Sequence, residues 1–220
     1  MFPFPFSFLS TSETPLAQID NLNSMSFDGA SDLIDLGTDV LFDSTGSFSF
    51  SAWCKLDDYS PQYPAICKIK TDQTNYFLIF LSQVSTYNGV NIGSVSGFMR
   101  AKTVGNIGGD FIGNWKHVCV TFDGVDRTNS SSYKIYVDGS LVDLTNTGAF
   151  ASGSNENTLG FGANSLSYFD GKIDEAAIFN VALTEAEILS IYNATAVVGG
   201  VNKTADLSQL TTPPIAWYRM

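Results

Sequence analysis

Residues 47–56, SFSFSAWCKL, alternate along the chain. Phe48, Phe50, Ala52, Cys54 and Leu56 fall on one face, with Ser49, Ser51, Trp53 and Lys55 on the other, as expected of a half-buried strand. Residues 115–122, WKHVCVTF, alternate in the same way: Trp115, His117 and Cys119 oppose Val118, Val120 and Phe122. The run at 75–81, NYFLIFL, is apolar at successive positions, which predicts a strand covered on both faces. Further short strands are expected at 24–27, 33–36, 65–69, 94–103, 133–137, 141–144, 157–161 and 172–179. Turn signals separate them, among them Asp28-Gly29, Asp123-Gly124, Asp138-Gly139 and Phe169-Asp170-Gly171. About eleven short strands of this kind predict two packed antiparallel sheets.

One helix interrupts the pattern. Thr184 and Glu187 form a capping box, Leu183 and Ile188 the matching hydrophobic staple, and Ile188, Ile191 and Tyr192 fall on one stripe. So short a helix needs a larger body to lie on.

Composition narrows the function classes. The 220 residues carry a formal net charge of -11 with only 11 Lys and Arg and no basic run, which argues against nucleic acid. No apolar run reaches the length of a membrane span. Residues 1–9, MFPFPFSFL, lack the basic start of a secretory signal and read as an aromatic arm for a neighbouring subunit or as a disordered terminus. Cys54, Cys67 and Cys119 cannot all pair within one chain, and three free thiols are expected. By composition residues 1–23 form an arm and linker, 24–193 a domain, and 194–220 a linker ending on a strand-like segment, IAWYRM.

Taken together, five stretches resemble the LamG-like jelly-roll family of the concanavalin A-like lectin and glucanase superfamily. They are MSFDGASDLIDLG (25–37), FSFSAWCK (48–55), WKHVCVTFDG (115–124), YKIYVDG (133–139) and residues 168–193. The sequence is also similar to LamG-type surface proteins of marine phages and bacteria. The resemblance implies an all-β, two-sheet antiparallel jelly roll with one short C-terminal helix, whose members bind glycans or proteins, often with Ca²⁺. In family repeats an AWYR-like strand opens the domain ahead of the FDG strand, whereas here it stands at 216–219. It is expected to fold back into its own sheet, to complete a neighbour's sheet and build a homo-oligomer, or to open a truncated repeat.

Candidate chemistry follows from the same resemblance. In the family's common structural site the FDG turn lies near the last strand, which implies Ca²⁺ held by Asp28, Gly29 and Asp174. A weaker, ligand-side Ca²⁺ would use Asp57, Asp58 or Asp126. Lectin sites place aromatic faces beside such loops, making Tyr59, Tyr63 and Tyr87 candidates for sugar stacking. A glycosidase would need paired carboxylates, but the glucanase ExDxxE pattern is absent and Glu13, Glu156, Glu175, Glu185 and Glu187 are scattered. His117, the single His, has no nucleophile beside it in sequence and reads as structural. Asn129, Asn193 and Asn202 fit the glycosylation pattern as chance matches. The expectation is a non-catalytic recognition or adhesion module, displayed on a cell or virion surface and binding a glycan or glycoprotein. The alternative is a structural assembly subunit such as a virion decoration protein, and a glycoside hydrolase ranks third.

Overall fold

The computed structural model describes residues 16–37, 46–60, 63–70, 76–83, 89–94, 99–103, 111–126, 129–146, 157–160, 162, 167–196 and 203–219. The arm at 1–15, Tyr87 and Asn202 lie outside them. In chain order the strands are β1 (Gln18–Asp20), β2 (Met25–Asp28), β3 (Ile34–Asp35), β4 (Phe48–Leu56), β5 (Ala65–Lys70), β6 (Tyr76–Ser82), β7 (Gly89–Ser94) and β8 (Met99–Thr103). They continue with β9 (Lys116–Phe122), β10 (Tyr133–Val137), β11 (Ser140–Val142), β12 (Leu144–Asn146), β13 (Thr158–Leu159) and β14 (Asp170–Phe179). Helix α1 (Glu185–Ala196), β15 (Lys203–Ala205) and β16 (Ala216–Tyr218) complete the chain.

Two antiparallel sheets form a sandwich. The first runs β11-β10-β9-β4-β14-β16, with β2 also on β14, and the second runs β12-β8-β7-β6-β5-β13-β3. The alternation seen in sequence sets the layers. Phe48, Phe50, Ala52, Cys54 and Leu56 of β4 meet Phe77, Ile79, Leu81, Val90 and Ile92 of the second sheet in one core. Phe48 packs edge-on to Phe77 across the sandwich with centroids 5.0 Å apart. Each such fully buried Phe contributes about 1.5–3 kcal/mol. All five residues from Phe77 to Leu81 are buried, as their unbroken apolar run requires.

The helix lies on the outer face of the first sheet. Its capping box forms as expected: the Thr184 amide donates to Glu187 Oε2 (2.8 Å) and the Glu187 amide donates to Thr184 Oγ1 (3.3 Å). Ile188, Ile191 and Leu183 join Cys119, Tyr136, Ala177 and Phe179 in a second apolar cluster beneath it. The three cysteines are unpaired and buried.

Several local expectations need correction. Asp170 and Gly171 begin β14 and are not a turn. A Cβ at Gly171 would stand 2.1 Å from the Lys55 carbonyl oxygen, so glycine there permits close strand approach. Of the strand expected at 94–103, Met99–Thr103 forms β8, which pairs antiparallel with β7, a strand at Gly89–Ser94 not expected from the sequence. The strand expected at 141–144 divides at Asp143, with β11 in the first sheet and β12 in the second. Gln18–Asp20 and Lys203–Ala205, within stretches read as linkers, pair with each other in a separate two-stranded sheet.

The AWYR segment pairs within its own chain. β16 lies antiparallel to β14, Ala176 opposite Tyr218 and Ile178 opposite Ala216. β2 occupies the same edge of β14 one step along, opposite Asp170–Ile173. The two short strands therefore share one edge end to end.

Candidate functional site

Of the expected metal ligands, Asp28 ends β2 and its carboxylate is fully used by its own turn. Oδ1 accepts from the amides of Ala30, Ser31 and Asp32 at 2.8–3.0 Å, and Oδ2 from the Ser31 hydroxyl at 2.9 Å. Those amides, Ser31 first, hold the carboxyl well below the usual carboxylate range. Across the sheet Asp28 faces Asp170, not Asp174. Asp174 sits four residues further along β14 with both oxygens engaged, Oδ2 by the Asn21 amide (2.8 Å) and Oδ1 by the Glu175 N–H (2.8 Å). Gly29 donates its N–H to the Phe169 carbonyl and closes against Ser60 and Asp170. Asp28 and Asp174 are thus not brought opposite each other, and each carboxylate is hydrogen-bonded within the chain. Among the described residues no group of three or more His, Cys, Asp or Glu is arranged to hold a metal ion. Asp57 and Asp58 are exposed near Asp170, whose carboxyl is raised by burial and then by Asp57, Asp58 and Asp28. Asp126 is exposed in a separate loop.

Of the aromatic candidates, the two described ones pack into different clusters. Tyr59 is half-buried against the main core. Tyr63 packs edge-on to Phe80 at 6.1 Å in a small cluster with Ala65 and Leu78.

His117 is fully buried on the outer face of the first sheet. Its Nε2 is 2.8 Å from the Ser51 hydroxyl, a neighbour that sequence distance concealed. This is nucleophile–base spacing, yet Ser51 is also buried, and burial pushes the imidazole down to about 4. Nδ1 has no partner to orient it, so the pair is a packed polar contact.

Beside it lies an open surface. Cross-strand register puts Asp174, Trp53 and His117 in one row of the outer face. The next row holds Lys172 directly opposite Lys55, and Trp115 follows, with the Lys55 ammonium 5.9 Å from its ring centroid. Trp115 is 38% exposed and Trp53, Lys55 and Lys172 are half-buried. Tyr192 reaches down from α1 and stacks on Trp53, centroids 5.8 Å apart and planes 17° apart. In the floor the Trp53 Nε1 and His117 Nδ1 atoms are buried without partners. Strand parity already put Trp53 with Lys55 and Trp115 with His117, but it does not say which part of a face the helix leaves uncovered.

A second polar group closes the other end. At a bulge in β14, Glu175 adopts φ 52 and is 4% exposed. The Trp217 indole N–H donates to Glu175 Oε2 at 2.6 Å, while Arg219 Nε lies 3.6 Å from Oε1. Arg219 also stacks over Trp217 and donates to the Asp20 carbonyl. Burial, opposed by the Trp217 bond, pushes the Glu175 carboxyl up to about 7.

No curated protein matches the sequence significantly. Among solved structures the chain is similar to a Bacteroides ovatus protein to which carbohydrate binding has been ascribed (15% identity, TM-score 0.60). That match covers 94% of this chain but only 52% of the other, so the chain spans about half its length. It is also similar to domain 4 of AbnA, a GH43 extracellular arabinanase from Geobacillus stearothermophilus, solved with arabinotriose (22% identity, TM-score 0.55, 80% and 81% covered). A third is the heptameric SAP-like pentraxin of Limulus polyphemus (16% identity, TM-score 0.52, 79% and 83% covered). At these identities the likeness is one of fold. The Laminin_G_3 family, described as the Concanavalin A-like lectin/glucanases superfamily, matches residues 28–189. Matched over most of its length and folded as two antiparallel sheets, the chain belongs to that superfamily.

Proposed function

We propose that this protein is a non-catalytic carbohydrate-recognition module. The observation that carries the proposal is the open outer-face surface of Trp115, Trp53 and Tyr192 flanked by Lys55 and Lys172. Sugar binding calls for this chemistry: an aromatic plane takes the apolar face of a pyranose, and charged side chains around it hydrogen-bond the hydroxyls. The fold of a domain solved with arabinotriose supports the reading. Catalysis through Asp28, Asp174 or Glu175 is disfavoured by how these three carboxylates are used. Asp28 is spent on its turn, while Asp174 and Glu175 are buried and tied to Asn21, Trp217 and Arg219. The assembly reading loses one of its supports, because the AWYR segment is paired in its own sheet. The extracellular origin of the arabinanase domain accords with work outside the cell, at a glycan-bearing surface.

A glycan array probed with the full chain tests the reading. Retention on defined glycans, with no reducing sugar released from them, is the expected result. Release of reducing sugar would replace it with a hydrolase.

A further inference from the structure

The aromatic surface carries a charge pattern that a generic sugar site does not need. Lys55 and Lys172 stand directly opposite each other across β4 and β14. Like charges so placed repel, and sheets ordinarily avoid the arrangement or neutralise it. Among the described residues neither makes an ion pair. Two of the neighbouring carboxylates are otherwise engaged, while exposed Asp57 and half-buried Asp170 stand one row away from the lysines. Asp174 is held by Asn21 and the Glu175 amide, and Asp28 by its own turn. Asp170 is raised first by burial and then by Asp57, Asp58 and Asp28. Only 11 of the 220 residues are Lys or Arg, against 22 acids, so two unneutralised ammoniums facing each other beside an exposed tryptophan are a costly placement.

We infer that the surface takes an acidic saccharide, its carboxylate or sulfate bridging Lys55 and Lys172 and its ring lying against Trp115. An anion there turns the repulsion between two opposed ammoniums into two charge-assisted hydrogen bonds. The acid row of Asp28, Asp170 and Asp57 lies on the far side of the lysines from Trp53. It disfavours any anion that is not seated between them, which makes the site selective for position as well as for charge. The buried, unpartnered Nε1 of Trp53 and Nδ1 of His117 put further polar groups beneath the same surface. This inference rests on the carbohydrate reading above and narrows its ligand class.

Isothermal titration of the full chain with oligogalacturonate, a heparin oligosaccharide and a neutral arabino-oligosaccharide of matched length provides the test. The uronate and sulfate arms distinguish the two sources of anion. Binding of at least one acidic probe should exceed the neutral one and weaken as NaCl rises from about 50 to about 500 mM. The double variant K55A/K172A should lose at least about tenfold in affinity and most of its salt dependence, as two charge-assisted bonds are removed. W115A should weaken the acidic probe while keeping the salt dependence. Thermal midpoints of the variants confirm that they are folded. Equal affinity for neutral and acidic probes overturns the acidic ligand and leaves carbohydrate recognition standing. Acidic binding untouched by K55A/K172A overturns the site. Failure of every saccharide to bind overturns both readings.

Discussion

Glu175 offers a measurement that isolates one buried group. It is 4% exposed, and its carboxyl stands at about 7 in the fold against 4.5 for an ordinary glutamate. The folded protein therefore holds the proton more tightly than the unfolded chain. The stability contributed is complete below pH 4.5 and is lost as pH rises through about 7. The interval corresponds to at most ~3 kcal/mol, less whatever solvent still reaches the carboxyl. His117 works in the opposite direction. Burial brings it from 6.5 to about 4, so its contribution is complete above 6.5 and is lost as pH falls through about 4. Over the shared window the two slopes oppose, and the wild-type stability curve should be comparatively flat. Glu175→Gln keeps an acceptor for the Trp217 indole and cannot ionise. Urea unfolding of variant and wild type, measured from about pH 4 to about pH 8, should give a difference that is constant at the acid end. It should grow in favour of the variant by ~2–3 kcal/mol by neutral pH. A difference that stays level across the whole range would refute the argument, because it would mean that Glu175 is not buried as a proton-holding carboxyl. Asp174, raised by burial and adjacent, titrates alike in both proteins unless coupled to residue 175, and coupling would broaden the transition.

Three further outcomes follow from other parts of the fold. Gly160 has φ 76, and a Cβ there would fall 2.2 Å from the Phe27 ring, so Gly160→Ala should cost ~2–4 kcal/mol in urea unfolding, and a cost below ~1 kcal/mol would contradict the packing. Asp28→Ala should lower the thermal midpoint equally in millimolar Ca²⁺ and in EDTA, since the carboxylate serves its own turn; a loss seen only with Ca²⁺ would assign it to a metal. Deleting residues 213–220 removes Trp217 and Arg219 from a buried carboxylate and should cost ~2–4 kcal/mol, with the sedimentation mass falling only by the deleted peptide. Loss of an oligomer on deletion would show that the strand is exchanged between chains.

The layers of the sandwich were legible because period-two alternation assigns faces before any contact is known. Parity alone put Phe48, Phe50 and Cys54 inside, and Trp53, Lys55 and His117 outside. The capping box located the helix for the same reason, being a local hydrogen-bond arrangement within four residues. Pairings at long range were less accessible. Ser51 lies 66 positions from His117, and nothing in either neighbourhood announces their contact. Asp170 replaced Asp174 as the partner of Asp28 because register is fixed by the whole β2–β14 ladder, and a resemblance of motifs does not supply register. Glu175 read as an ordinary strand acid. Its burial depends on a bulge and on a tryptophan 42 positions away.

The shared edge of β14 also bears on how the protein is made. β2 supplies one half of that edge and is synthesised early, whereas β16 supplies the other half about two hundred residues later. On the ribosome the sandwich can collapse around β4, β9 and β14, yet half of one edge stays bare until Tyr218 has emerged. During that interval the backbone of Ala176–Ile178 is an open template for any passing strand. Glu175 at its margin then has neither Trp217 nor Arg219, and a charged carboxylate beside an unfilled edge is one of the devices by which sheets deter wrong partners. The same side chain that is locked down in the finished protein thus stands guard over the nascent one.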